Sequence, residues 1–304
     1  MDGSFPVMQI EPEWVKDPEQ MGSKEKFWFS RPDAKEKRDW LFKYPTPGTG
    51  QHWAEKIAYH VALEMGLRAT PRVELAEFQG ELGSATLNFA TGGYELYHGN
   101  QILAGMDASY DPNKRYKQKL HTVARIFESM KQFPNKDFAE QCRRSLALYL
   151  VLDAVVCNVD RHHENWGILR RRVKEQWRGR LAPTYDHASS LGHNLRDSGG
   201  KQNRERYLEE LGIKKYVERG HGAIFIDPES KKAPSPLNLV RHCSSDPSYA
   251  KYFHPALPRV AALERENVEA IIARIPENWI SPIARKFAIE LILHNVEQLT
   301  HLNA

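Results

Sequence analysis

Asn158-Val159-Asp160-Arg161-His162-His163-Glu164-Asn165-Trp166-Gly167 is the stretch from which the rest of the chain can be read. Leu181-Ala182-Pro183-Thr184-Tyr185-Asp186 follows it after a basic, hairpin-like run. The first segment sets an Asp five positions ahead of an Asn, and the second adds an Asp after strand-like residues. Phosphoryl transfer to a hydroxyl uses these residue types. One carboxylate accepts or orients the proton of the attacking group, and an amide oxygen and a second carboxylate hold Mg²⁺ on nucleotide phosphates. Asp160 is therefore the candidate base, and Asn165 and Asp186 are the candidate metal ligands.

An isolated D-x-x-x-x-N would read as a surface loop with ordinary caps. Here it comes with Asn158, Arg161-His162, Gly167 and Tyr185-Asp186. Asp186 is followed by His187-Ala188 where a protein kinase has Phe-Gly. A hard cation needs only the carboxylate oxygen, so the departure leaves the ligand role intact.

Upstream, Leu146 to Val156 is the longest apolar run, interrupted by Asp153. It is too short to span a bilayer and reads as a buried helix that holds the following loop. Before it, Phe27-Trp28-Phe29 and Trp40-Leu41-Phe42-Lys43-Tyr44 read as strands, the second aiming Lys43 at a cleft. Trp53, Ile57, Val61 and Met65 form a helical stripe that ends at Gly66. Val73–Phe78 and Ser84–Ala90 read as strands joined at Gln79-Gly80. Glu55 on the helix is the expected partner of Lys43, with Glu64 a weaker competitor; such a pair places the ammonium on the α- and β-phosphates. Gly22 to Lys26 is a short loop whose backbone N–H groups could cover phosphates, and Ser23 within it is a candidate for modification.

Residues 1–20 read as an irregular N-terminal arm, and Gly92 to Asn113 as loop. Lys119–Met130, Lys136–Val156, Val260–Ile275 and Pro282–Leu302 read as helices, with short strands at Trp166–Leu169 and Gln176–Ala182. Arg196 to Asn203 is polar and Gly-rich, a candidate mobile segment. The expected architecture is α+β and two-lobed, of the protein-kinase type: a β-rich N-lobe over 21–95 and a larger, mostly helical C-lobe over 96–304.

The 304 residues are 41% hydrophobic and 27% charged, enough apolar content for a real core. A net charge of +4 suits a nucleotide or acidic partner and argues against direct nucleic-acid binding. Cys142, Cys157 and Cys243 are far apart and lack CxxC spacing, which points to reduced thiols and a cytoplasmic setting. The first twenty residues mix Asp, Glu, Pro and Trp and do not read as a signal peptide, and no segment suggests membrane insertion. His162, His163 and Cys157 lie close together but without zinc-site spacing. Arg170, Arg171, Arg172, Lys174, Arg178 and Arg180 form a basic turn, either a solvated face or a docking patch.

Asn158-x-Asp160-Arg161-His162-x-x-Asn165-x-Gly167 with Leu181-Ala182-Pro183-x-Tyr185-Asp186 resembles the HipA-like serine/threonine kinases, the toxin kinases of bacterial toxin–antitoxin modules. Phe42-Lys43-x-Pro45 resembles the family's nucleotide-binding Lys strand, and Glu55 to Glu64, ending Met65-Gly66-Leu67, the helix after it. Leu96-x-x-Gly99-Asn100-x-Ile102-Leu103 is a further, weaker match. The resemblance covers Gly22 to Asp186 well and the tail loosely. It implies ATP and Mg²⁺ as cofactors, Asp160 as base, Asn165 and Asp186 as metal ligands, and Lys43 paired with Glu55 on the phosphates, covered by the Gly22-Ser23 loop. It also implies a protein substrate, such as a translation factor or aminoacyl-tRNA synthetase, and a small DNA-binding antitoxin as partner, in the cytoplasm or, for an effector, in a host cell. About twenty residues precede Gly22, so the chain resembles a short, kinase-core form of the family. Two other readings use the same residues: a phosphatidylinositol-type lipid kinase, since Asp-Arg-His-x-x-Asn occurs there too, and a pseudokinase-like nucleotide-binding module.

Overall fold

The computed structural model describes residues 3–18, 25–32, 38–133 and 135–303. Its N-terminal part holds β1 (Val7–Ile10), β2 (Val15–Pro18), β3 (Lys26–Ser30), β4 (Asp39–Lys43), α1 (Gln51–Glu64), β5 (Val73–Phe78) and β6 (Glu81–Leu87). The strands form one curled sheet in the order β1-β5-β6-β4-β3-β2. Strand–strand–helix–strand–strand from β3 to β6 is the order the sequence predicts.

Residues alternate across β3 and β4 as a half-buried sheet requires. Phe27, Phe29, Trp40 and Phe42 turn to one side, where they pack with Ile10, Ala76, Ala85 and Leu87. Lys26, Trp28, Leu41 and Lys43 turn to the other and line a cavity. The register Phe27↔Phe42 and Lys26↔Lys43 keeps the two sets apart. A slip of one residue would bury Lys43 among aromatic rings. At the β5–β6 turn Gln79 and Gly80 both have positive φ, 53° and 84°, matching the twist of a tight hairpin.

The segment 1–20, expected to be irregular, supplies β1 and β2. β1 runs parallel to β5, with Val7 opposite Leu75, and β2 pairs with β3. Four-residue strands whose partners lie far along the chain leave no local alternation to read.

The C-terminal part holds β7 (Glu95–His98), α2 (Gly99–Met106), α3 (Val123–Ser129), α4 (Lys136–Val156), β8 (Gly167–Val173), β9 (Gln176–Leu181), α5 (Arg204–Arg206), α6 (Ile213–Arg219), α7 (Pro236–Ser245), α8 (Ala250–Phe253), α9 (Arg265–Ala273) and α10 (Pro282–Thr300). β7, β8 and β9 make a second, three-stranded sheet. The region 92–113, expected to be loop, contains β7 and α2. β7 exists because Tyr97 and His98 pair with Ile168 and Gly167, a contact invisible locally. The α3 helix is shorter than the predicted Lys119–Met130.

The main core gathers around α4, whose Leu146, Val151, Leu152 and Val155 are buried. Asn135 caps its start by accepting a hydrogen bond from the Phe138 N–H. Near its end the fully buried Asn295 of α10 donates to the Val155 carbonyl at 3.1 Å. That satisfies one of the carbonyls a helix C-terminus leaves over and fixes where the next loop departs. No helix among the described residues is long and apolar enough to cross a membrane.

Candidate active site

α4 stops at Cys157, which takes a left-handed conformation (φ 54°) and turns the chain into Asn158–Gly167. The Asn158 amide donates to the Asp153 carboxylate at 2.8 Å, and its own oxygen accepts from the Asp160 N–H at 3.2 Å. Arg161 binds the same carboxylate through Nε and Nη2, both at 2.7 Å. It also donates to the Tyr185 carbonyl at 2.8 Å and to the Thr184 hydroxyl at 3.0 Å. Burial works against the Arg161 charge, but Asp153 outweighs it and holds the guanidinium pKa above its usual range. One side chain thus ties the helix, the Asp160 loop and the Asp186 segment together. The Asn165 amide donates to the Asp160 carbonyl at 2.8 Å, which sets the side chain's orientation.

Gly167 ends the loop for a steric reason. A Cβ there would lie 2.3 Å from the Tyr97 carbonyl oxygen, against which β8 packs.

Asp186 has φ 58°, a left-handed conformation that costs a non-glycine residue energy and is held by its surroundings. Its carboxylate lies 3.1 Å from the Lys43 ammonium, and Glu55 lies 3.6 Å from the same nitrogen. Burial lowers the Lys43 pKa, but Asp186 and then Glu55 more than reverse this, so the ammonium stays charged far above its ordinary range. The almost fully buried Glu55 also accepts from the Ser84 hydroxyl at 3.3 Å. Glu64, the competing partner, is exposed and meets Asn267 instead.

Lys43, Asp160, Asn165 and Asp186 line one cavity of about 450 Å³. Lys26, Trp28 and Leu41 wall it on the sheet side, and Leu87–Ala90 passes beside it. Ser189 donates weakly to Asp160 at 3.4 Å. At its edge Arg115 forms an ion pair with Glu164, and Tyr116, 61% exposed, stands over His162. Burial pushes the His162 pKa down to about 3, so the ring beside Asp160 is neutral. Behind the loop, Trp166 donates to His121 Nε2 at 3.0 Å, and the other ring nitrogen meets the Ala223 carbonyl at 2.8 Å. A neutral His121 protonated at Nδ1 satisfies both bonds, and burial lowers its pKa to about 3.

The structure therefore brings together five of the seven residues singled out from the sequence: Lys43, Glu55, Asp160, Asn165 and Asp186. Gly22 and Ser23 lie outside the described residues. Asp153 appeared in the sequence only as an interruption of an apolar run; a charge inside a buried helix, eight positions before an Arg, was the available signal. Arg115 and Tyr116 carried no sequence signal. Among the described residues no group of three or more His, Cys, Asp or Glu is placed to hold a metal ion. The donors at hand are instead the hard oxygens of one amide and one carboxylate. They suit Mg²⁺, which binds through one or two carboxylates and completes its shell with phosphate and water.

Fold and cavity together define a two-lobed protein of kinase architecture. A family model of the HipA-like C-terminal domain matches residues 20–235, and the chain belongs to that family. Among solved structures, the Helicobacter pylori proinflammatory kinase CtkA superposes with a TM-score of 0.77 at 17% identity, over 98% of this chain and 99% of that one. The HipA chain of the Shewanella oneidensis MR-1 complex of HipA, HipB and operator DNA gives a TM-score of 0.57 at 14% identity, over 98% of this chain and 67% of that one. No curated protein matches by sequence.

Proposed function

We propose that the chain is an ATP-dependent serine/threonine protein kinase of the HipA-like toxin type, with its smaller lobe ending near residue 95. One observation carries this reading: Lys43, Asp160, Asn165 and Asp186, from distant parts of the chain, face a single cavity beside Leu87–Ala90. Lys43, kept charged by its two carboxylates, binds the α- and β-phosphates. Asn165 and Asp186 would hold Mg²⁺, which when bound neutralises charge on the β- and γ-phosphates. Asp160 orients the acceptor hydroxyl and takes its proton. The Asp153–Arg161 pair fixes the spacing of the two loops, and such positioning supplies much of the rate in this chemistry.

The kinase CtkA and the toxin HipA as fold relatives support phosphotransfer. The HipB-bound relative supports a small DNA-binding antitoxin as candidate partner; a translation factor or aminoacyl-tRNA synthetase is the candidate substrate that the family resemblance implies. Labelled γ-phosphate transfer into a whole-cell lysate tests the reading, comparing the wild-type chain with Asp160→Ala. A protein band that disappears in the variant is the expected result. A labelled lipid would instead indicate a lipid kinase, and nucleotide binding without any label a binding module.

A further inference from the structure

Three arginines of the β8–β9 hairpin share one face of their sheet. The register sets Arg171 opposite Arg178 and Leu169 opposite Arg180, and side chains two apart along a strand point the same way. Like charges set directly opposite each other destabilise a strand pair. None of the three forms an ion pair with a described carboxylate; the ion pair of the hairpin joins Glu175 to Arg172, which points to the other face. Tyr94 holds the cluster, with Arg171 stacked on its ring at 4.7 Å and Arg180 at 4.8 Å. The fold gains little from this arrangement, which keeps cations together instead of spreading them.

β9 is also the outer strand of its sheet, whose order is β7-β8-β9. An outer strand leaves a row of N–H and C=O groups without a strand partner. Charges that only guard such an edge would not come with an exposed indole, yet Trp177 is 55% exposed on the face opposite Arg178 and Arg180. The arginine face continues towards the Asp160 cavity. Leu96 lies in one cross-strand row with Leu169 and Arg180, His98 follows two positions on, and both line that cavity.

We propose that β9 is a docking edge for an extended acidic segment of a partner protein, which adds to the sheet as a further strand. Main-chain hydrogen bonds to the free edge supply affinity, and alternate side chains supply specificity. Carboxylates at every second position meet Arg178 and Arg180, whose guanidinium groups are suited to forked contacts with them. Apolar side chains between them cover Trp177. A nucleic-acid strand could use the arginines but would leave the backbone edge unpaired. That the docked protein is also the phosphoryl acceptor rests on the kinase reading above; the docking itself does not.

Anisotropy of a short, dye-labelled peptide of alternating Glu and Val, at physiological ionic strength, tests the edge. The wild-type chain should bind it saturably. Arg178→Ala/Arg180→Ala should weaken binding about tenfold or more, as expected when charge-assisted contacts are lost. Lys214→Ala/Lys215→Ala, which removes equal charge from α6, should bind as the wild type does. A peptide with the same Glu and Val content arranged in two blocks should bind about tenfold or more weakly, because its carboxylates no longer fall on one side of a strand. Asp160→Ala should bind the alternating peptide unchanged, so failure of phosphate transfer and failure of docking are read separately. Equal loss in the lysine variant would reduce the effect to diffuse charge, and equal affinity for the block peptide would remove the strand geometry. Either outcome overturns the proposal, as does binding of a single-stranded oligonucleotide with none of the alternating peptide.

Discussion

Arg161 grips Asp153 with two parallel N–H groups, both at 2.7 Å, across eight residues of sequence and the end of a helix. Both residues are buried, at 4% and 2% exposure. Removing the cation strands a carboxylate in the core. Arg161→Met should therefore destabilise the fold by about 3–5 kcal/mol in chemical denaturation. Arg161→Met/Asp153→Leu should recover part of that loss, because no orphan charge remains. A single variant within about 0.5 kcal/mol of wild type would show that the pair does not hold the loop.

The two aspartates of the cavity should separate binding from chemistry. Asp160→Ala should lower phosphate transfer by about 10²–10⁴-fold, the range for a lost general base, while nucleotide affinity stays near wild type. Asp186→Ala should weaken Mg²⁺-nucleotide affinity as well as transfer, because its carboxylate is the proposed metal ligand and the neighbour of Lys43. Calorimetric titration with a non-hydrolysable ATP analogue reads the difference. Equal affinities in the two variants would remove Asp186 from the metal site.

Stability should fall on mild acidification. Burial pushes the pKa of His52 from 6.5 to about 4, and those of His60 and His121 to about 3. The unfolded chain takes up protons on these rings as pH drops through 6.5, whereas the native chain does so only near 4 to 3. Their contribution is complete above 6.5 and is lost progressively below it, by at most about 1.4 kcal/mol per ring and pH unit. The thermal midpoint should thus be lower at about pH 5.5 than at about pH 7.5, and His60→Leu should flatten the slope. A midpoint independent of pH over that interval would contradict the neutral burial of these rings.

Two glycines on the second sheet should respond differently to alanine. At Gly167 the new Cβ would meet the Tyr97 carbonyl at 2.3 Å, a backbone atom that can move only by disturbing the β7–β8 pairing. At Gly179 the nearest atom is the Phe133 ring at 3.1 Å, which can shift. Gly167→Ala should cost about 1–3 kcal/mol by overpacking and Gly179→Ala less. Thermal melts compare them directly, and the reverse order would mean that the hairpin slides rather than clashes.

The sequence on its own determined a good deal about this protein. Alternation in Trp40–Tyr44 revealed a strand that offers Lys43 to a cleft, the stripe from Trp53 revealed α1 with Glu55 on it, and the spacing from Asp160 to Asn165 pointed to two residues that line the same cavity. These are short-range patterns, fixed by side-chain periodicity and by helix and turn preferences that act between near neighbours. Tertiary structure alone decided the rest. β1 exists because Val7 meets Leu75, β7 because His98 meets Gly167, and Asp153 matters because Arg161 folds back on it. It also decided that Glu55 rather than Glu64 faces Lys43. Such contacts join residues that no local preference links, so their energy appears only once the chain has closed on itself.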